Sequence, residues 1–216
     1  MKSYSQAGQD LFAHALLGDG PCTFLDIGSN HPTVNSNTYA LEQLGWRGLL
    51  VDSSPEYTAL CREQRLSPVL EGDATKIDWN NQLLEHGWIA RDADGRQMKV
   101  PFRFAAILNF ALEIDYLSFD VDEAGVAALK NLPLDRLKFR VITCEHDAYR
   151  FGDGPRSEMR RIWKDAGYLM VAGDVKHNGH PFEDWWVGPG IELARPTVEM
   201  SYIEGMEWQE IIARIQ

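Results

Sequence analysis

The sequence is short of the features that most quickly assign a chain to a class. It has three cysteines, Cys22, Cys61 and Cys144, widely spaced, odd in number and without a CxxC pair. Such an arrangement excludes a disulfide framework and a zinc knuckle, and is expected of reduced thiols in a cytoplasmic protein. Basic residues are scarce: 21 Lys and Arg stand against 32 Asp and Glu, a formal net charge of −11. A nucleic-acid binder draws its affinity from phosphate neutralisation, so no nucleic-acid partner is expected. Long apolar runs are missing too. The stretch from Phe104 to Leu112 is broken by Asn109 and is far below bilayer length, so no membrane partner is expected. The opening Met1–Phe12 segment has no apolar signal-peptide core. No internal repeat, low-complexity tract or Pro/Ser-rich linker divides the 216 residues, which read as a single domain over 1–216 with a helical N-terminal segment at 1–21.

What is present is an alternation. Short apolar runs rich in β-branched residues at Cys22–Ile27, Arg47–Val51, Ser67–Glu71, Tyr116–Val121 and Phe139–Glu145 predict strands. Helical patterns at Thr38–Leu44, Pro55–Gln64, Asp78–His86, Gly125–Leu132 and Arg156–Ala166 lie between or after them. Strand followed by helix, repeated, predicts a parallel α/β sheet with right-handed crossovers and helices on both faces. The rhythm breaks at Tyr168–Val175 and Phe182–Val187, two strand-like runs whose connection contains Asn178-Gly179, a strong hairpin signal. Five parallel strands and an antiparallel pair make a mostly parallel seven-stranded sheet of Rossmann-like class I methyltransferase type, unlike a six-stranded dehydrogenase sheet. Residues 87–100 read as an irregular insertion, with a turn at Asp92–Gly95.

Open α/β sheets bind ligands beyond the carboxyl ends of their strands, so those ends matter most. The first ends in Asp26-Ile27-Gly28-Ser29-Asn30. A dinucleotide fingerprint needs glycine at 28, 30 and 33 to let the backbone approach a pyrophosphate, and Asn30 and Thr33 take two of those places. S-adenosylmethionine (SAM) has no phosphate; one tight turn at Gly28 suffices, with Asp26 and Asn30 near its amino-acid end. The second strand ends at Asp52-Ser53, 24 residues after Gly28, where a carboxylate can accept from both ribose hydroxyls. Asp52 serves NAD and SAM equally, and it could instead cap the helix after Pro55. The third is followed by Asp73-Ala74, suited to the adenine edge.

These segments, in this order, carry a resemblance. Ser5–Asp10, Asp26–Asn30, Ser36–Glu42, Gly45–Gly48, Ile114–Val121, Val141–His146 and Asn178–Val187 resemble the FkbM family of methyltransferases, from Tyr4 nearly to the C-terminus. The resemblance implies SAM as cofactor and O-methylation of a hydroxyl on a sugar, glycan or other natural product. One motif departs from the family's Asp-Val-Glu-Gly: here it reads Asp120-Val121-Asp122-Glu123.

The same strand ends hold the candidates for chemistry. Methyl transfer to an alcohol requires alignment and removal of a proton. Histidine as a residue type ionises near neutral pH, which makes His146 a candidate base, with Asp120 and Glu145 as catalytic partners. Asp120, Glu145 and His146 could alternatively hold Mg²⁺ or Mn²⁺, with Asp122 and His177 as further ligands. Gln9 and Gln6 lie on a helix that could close over the cofactor, and Asp120 also faces it. Phe182, Trp185 and Trp186 could wall a small-molecule or glycan acceptor, or simply pack the core. Two other readings stay open: an NAD-dependent oxidoreductase, and a non-catalytic binding or scaffold protein on the same fold.

Overall fold

The computed structural model describes residues 1–79, 89–91, 97–99, 112–189 and 203–215. Ten strands and seven α-helices are described, in the order α1 (Gln9–Leu17), β1 (Thr23–Ile27), α2 (Tyr39–Gln43), β2 (Arg47–Asp52), α3 (Pro55–Gln64), β3 (Val69–Glu71), β4 (Ile89–Arg91), β5 (Gln97–Lys99), β6 (Leu112–Phe119), α4 (Gly125–Asn131), β7 (Leu137–Glu145), α5 (Ala148–Phe151), α6 (Asp153–Asp165), β8 (Leu169–His177), β9 (His180–Val187), β10 (Ile203–Glu204) and α7 (Trp208–Ile215).

The main sheet has the order β10-β8-β9-β7-β6-β1-β2-β3. From β3 to β7 the neighbours run parallel; β9 lies antiparallel to both β7 and β8. The strand order reverses between β1 and β6, and β9 inserts between β7 and β8. This is the Rossmann-like class I methyltransferase fold. The sequence leads one to expect seven strands; β10 makes an eighth, through a two-residue parallel pairing of Ile203 and Glu204 with Ala172 and Gly173. So short a strand offers no periodicity to read. β4 and β5 form a separate antiparallel pair within the 87–100 insertion. The turn expected at Asp92–Gly95 and most of the helix expected over Asp78–His86 lie outside the described residues.

Two apolar clusters sandwich the sheet. Phe24, Leu50, Tyr116, Val141 and Trp185 face α1, α2, α3 and α7. Leu25, Ile27, Leu49, Phe119, Ile142 and Trp186 face α4 and α6. This alternation decides which cluster each strand-end side chain joins. Buried on both faces, β6 is apolar at five of its eight positions. Its one central acid, Asp115, accepts from Thr23 N and Oγ1 at 2.8 and 3.0 Å and from Arg140 at 2.9 Å. The β8–β9 turn is tighter than the sequence suggests: Asn178 and Gly179 both have positive φ, 52° and 81°, as a two-residue hairpin turn requires. No helix among the described residues is long and apolar enough to cross a membrane.

Candidate functional site

At the carboxyl ends of β1, β2, β3 and β6 lies a cleft of about 220 Å³. Its position follows from backbone geometry. Gly28 N and Ser29 N both donate to Val51 O, at 2.8 and 3.1 Å, while Asp120 N donates to Ile27 O at 2.9 Å. These bonds pull three strand ends together. Gly28 sits at φ +86°, and a Cβ there would collide with the Asp120 carbonyl oxygen, so glycine is required twice over.

The cleft is lined by Gly28, Asn30, Asp52, Ser53, Asp73, Ala74 and Asp120, together with Tyr57 and Asp122. The structure therefore brings together seven of the nine residues expected at a cofactor. Asp52 organises the floor: its Oδ2 accepts from Asn30 N at 2.7 Å and its Oδ1 from Ser54 N at 2.8 Å. Each oxygen keeps a second lone pair for a ligand. Ser54, and not Asp52, caps α3, accepting from Tyr57 N at 3.3 Å ahead of Pro55. Asp73 accepts from Thr75 N and Oγ1 and pairs with Lys76 at 2.7 Å, and these partners hold its carboxyl down at about 2.

The other two expected cofactor residues lie elsewhere. Asp26 faces the α1–α3 side, is 1% exposed and accepts from Thr38 Oγ1 at 2.6 Å. Burial pushes its carboxyl up, against the pull of Thr38 and Arg65. It supports the cleft from beneath. Gln9 is buried at the start of α1, accepting from Ala7 N at 2.7 Å and donating to Glu183 at 3.2 Å. It lines no part of the cleft.

His146 requires a correction. Glu145 belongs to the face turned toward α1, and His146, the next residue, turns the other way. Its Nδ1 accepts from Ala148 N at 3.1 Å, and its Nε2 lies 3.4 Å from Asp184 and 3.5 Å from Asp174. The ring is 2% exposed and sits against a hairpin network. Arg160 grips Asp184 with two bonds of 2.7 Å, and Arg156 reaches Asp174 at 2.7 and 2.8 Å. Burial opposes ionisation of Asp184, yet Arg160 and His146 hold its carboxyl at about 2. The expected triad of Asp120, Glu145 and His146 does not assemble. His177 sits beside Asn178 at 2.9 Å and against the Phe182 ring.

What does assemble is a row of carboxyl groups on one face. Asp120 ends β6; Glu145 ends the neighbouring β7; Glu183, its cross-strand partner in β9, follows. Burial is the main cause raising the carboxyls of both Asp120 and Glu145; the charge of Asp120 raises Glu145 further, whereas at Asp120 the nearby Asp122 and Asp26 add to the rise and Glu145 works against it. Glu183 is buried and raised well above the ordinary range, accepting from Trp185 Nε1 at 2.7 Å as well as from Gln9. Asp122 and Asp147 stand beside Glu145. Phe182, Trp185 and Trp186 are 3%, 0% and 0% exposed, and Trp185 stacks on Phe12 at 4.3 Å, so these rings pack the core.

Sequence reasoning missed Arg65 and Glu42. Their ion pair is fully buried, with Nε 3.0 Å from Oε2. Arg65 also donates to Pro32 O, Ser36 Oγ and Thr38 Oγ1, fixing the loop behind Gly28. An acid on one helix and an arginine past the end of the next carry no local signal of pairing.

No protein-family model matches the sequence, and no curated protein matches it. Solved structures resemble it in chain path. A TehB-like SAM-dependent methyltransferase from Corynebacterium glutamicum is 12% identical, with 87% of this chain covering 89% of that one at a TM-score of 0.47. Magnesium protoporphyrin IX methyltransferase from Synechocystis, solved with bound SAM, is 12% identical over 78% of this chain and 69% of its own, with a TM-score of 0.47. Fibrillarin from Aeropyrum pernix, with natively bound SAM, is 13% identical over 82% and 73%, with a TM-score of 0.44. At these identities the weight of any functional reading falls on the cleft itself.

Proposed function

We propose that the protein is a SAM-dependent methyltransferase acting on a hydroxyl of a sugar, glycan or related natural product. One observation carries the reading. A single cleft gathers Gly28 and Asn30 from β1, Asp52 and Ser53 from β2, Asp73 and Ala74 from β3, and Asp120 and Asp122 from β6. That sequence of strand ends suits an extended nucleoside, with ribose at Asp52, adenine near Asp73 and the reactive end at Asp120. A dinucleotide fits less well. Residues 31–35 form bends and the next helix starts only at Tyr39, so Gly28 leads into no helix N-terminus for a pyrophosphate.

In the proposed reaction the acceptor oxygen displaces the sulfonium, the methyl group passes from sulfur to oxygen, and S-adenosylhomocysteine leaves. The hydroxyl proton goes to Asp120, whose carboxyl, pushed up to about 7 chiefly by burial, suits a base working near neutrality. His146, turned away, takes no part.

The test begins with the cofactor. Calorimetric titration should show SAM binding to the parent and weaker binding to Asp52→Ala by about 1.5–3 kcal/mol, the scale for hydrogen bonds to a charged acceptor. Circular dichroism should report an intact fold. NAD binding in place of SAM, or SAM affinity untouched by the substitution, refutes the assignment. The acceptor follows from mass spectrometry of glycan fractions incubated with methyl-labelled SAM.

A further inference from the structure

We infer that Tyr149 is the platform on which an acceptor sugar stacks, at the reactive end of the cleft. The acceptor role of that sugar rests on the methyltransferase reading; its binding does not. The three rings that the sequence offers as an acceptor wall, Phe182, Trp185 and Trp186, are buried. Among the described residues only one Phe, Tyr or Trp ring is exposed, that of Tyr149 at 47%. It is exposed without being loose. Its ring lies 5.0 Å from that of His180, at an interplanar angle of 30°, so a side chain of β9 backs one face. Its hydroxyl is turned to Asp147, and partial burial, then that carboxylate, raise its ionisation. The turn that carries it is fixed as well, since Arg150 N and Phe151 N both donate to Asp147 O, at 2.8 and 3.0 Å. A tyrosine has only two side-chain torsions, so a ring held this way offers contact area at little entropic cost on binding.

Its neighbours tie it to the cleft. Arg150, the next residue, bonds through Nη1 to both Asp147 and Asp122 at 2.7 Å, and Asp122 lines the cleft. Carboxylate oxygens of Asp122, Glu145 and Asp147 lie within 4.8 Å of one another. Tyr149, turned to Asp147, therefore stands at the reactive end. The polar rim selects the ligand. The Arg150 guanidinium lies 4.8 Å over the Phe151 ring, which steadies it, and both of its carboxylate bonds use one nitrogen. A guanidinium has five N–H donors, so donors remain for ligand oxygens. Asp122, with 58% of its side chain exposed, offers acceptors. Donors and acceptors beside an aromatic face match a pyranose, whose C–H face covers the ring while its hydroxyls reach the rim. A planar phenol would use the face and leave the rim unpaired.

Nuclear magnetic resonance on the full chain, with tyrosine and histidine rings isotopically labelled, tests it directly. The probes are the methyl α-pyranosides of glucose, galactose and mannose, with catechol as the planar comparison. At least one pyranoside should shift the Tyr149 and His180 ring signals, and saturation of the protein should pass to one face of the sugar. Tyr149→Leu should weaken that pyranoside about two- to tenfold, the scale on which aromatic pairs act, whereas Tyr149→Phe should retain it. Leu169→Ala, at an exposed apolar side chain where β8 begins, should change nothing. The platform is overturned if no pyranoside shifts Tyr149, if catechol binds there more tightly than every pyranoside, or if Tyr149→Leu binds sugar as the parent does. SAM titration of the same samples keeps the two readings apart. SAM binding without sugar at Tyr149 defeats the platform alone, and sugar at Tyr149 without SAM binding defeats the methyltransferase reading alone.

Discussion

The residue that most constrains the cleft is Gly28, and it does so in two separable ways. A left-handed φ costs an L side chain about 1–2 kcal/mol wherever it occurs. The collision of a Cβ with the Asp120 carbonyl is an additional cost, because β1 and β6 must separate to admit it. Gly45 supplies the comparison: its φ is +95°, and a Cβ there would meet nothing within 4 Å. Gly45→Ala should therefore lose only the conformational cost, with SAM affinity unchanged. Gly28→Ala should lose more stability and most of its SAM affinity, read by urea unfolding and calorimetry. Equal effects at the two positions would mean that the approach of β1 to β6 is not what holds the cleft open. At this scale the sequence was partly legible. Asp52 and Asp73 sit at strand ends, and a strand end is predictable from an apolar run. His146 was not legible, because adjacent residues at a strand end face opposite sides and no composition records which side a cleft occupies.

Between residues and the whole molecule stand α2, α3 and the loop that joins β1 to α2. Glu42 on α2 lies beneath Arg65 at the end of α3, and burial works against its ionisation. Arg65, Ser67 and Leu66 N nonetheless hold its carboxyl below the ordinary range. Arg65 continues to Thr38, which donates to Asp26 under Gly28, so the ion pair and the cleft floor form one chain of bonds. Removing one partner of a buried pair costs about 3–5 kcal/mol, since the other is left uncompensated. Arg65→Met should thus lower unfolding free energy by that order and weaken SAM binding, although Arg65 lines no part of the cleft. Stability lost without any change in SAM affinity would show the loop to be independent of the pair. The five parallel strands and the hairpin were readable because periodicity and the Asn-Gly turn are local. The pair was not, because it joins residues 23 positions apart with nothing between to announce it. Nor were β10 and α5, which are too short to show a period.

At the scale of the whole molecule, the row of acids sets how stability responds to pH. Asp120, Glu145, Glu183 and Asp26 have carboxyls raised chiefly by burial. Each keeps a proton in the fold that the unfolded chain releases near pH 4. Between pH 4 and the raised values the native state holds more protons than the unfolded one, so stability falls as pH rises. Asp184 and Glu42 act oppositely. Their carboxyls are lowered, so the stability they contribute is complete above about pH 4 and is lost as pH falls from there. The two groups together place the maximum at about pH 4–5, on the acid side of the range usual for globular proteins. In chelator-containing buffer, Tm should decline steadily from pH 5 to pH 8 and drop again below pH 4. Glu183→Gln, which removes one ionisable group at the buried end of the row, should flatten the decline without abolishing it. A Tm that is level or rising between pH 5 and pH 8 would mean that these carboxyls ionise freely within the fold. The row would then be hydrated rather than buried, and burial would no longer account for the raised carboxyls of Asp120 and Glu145.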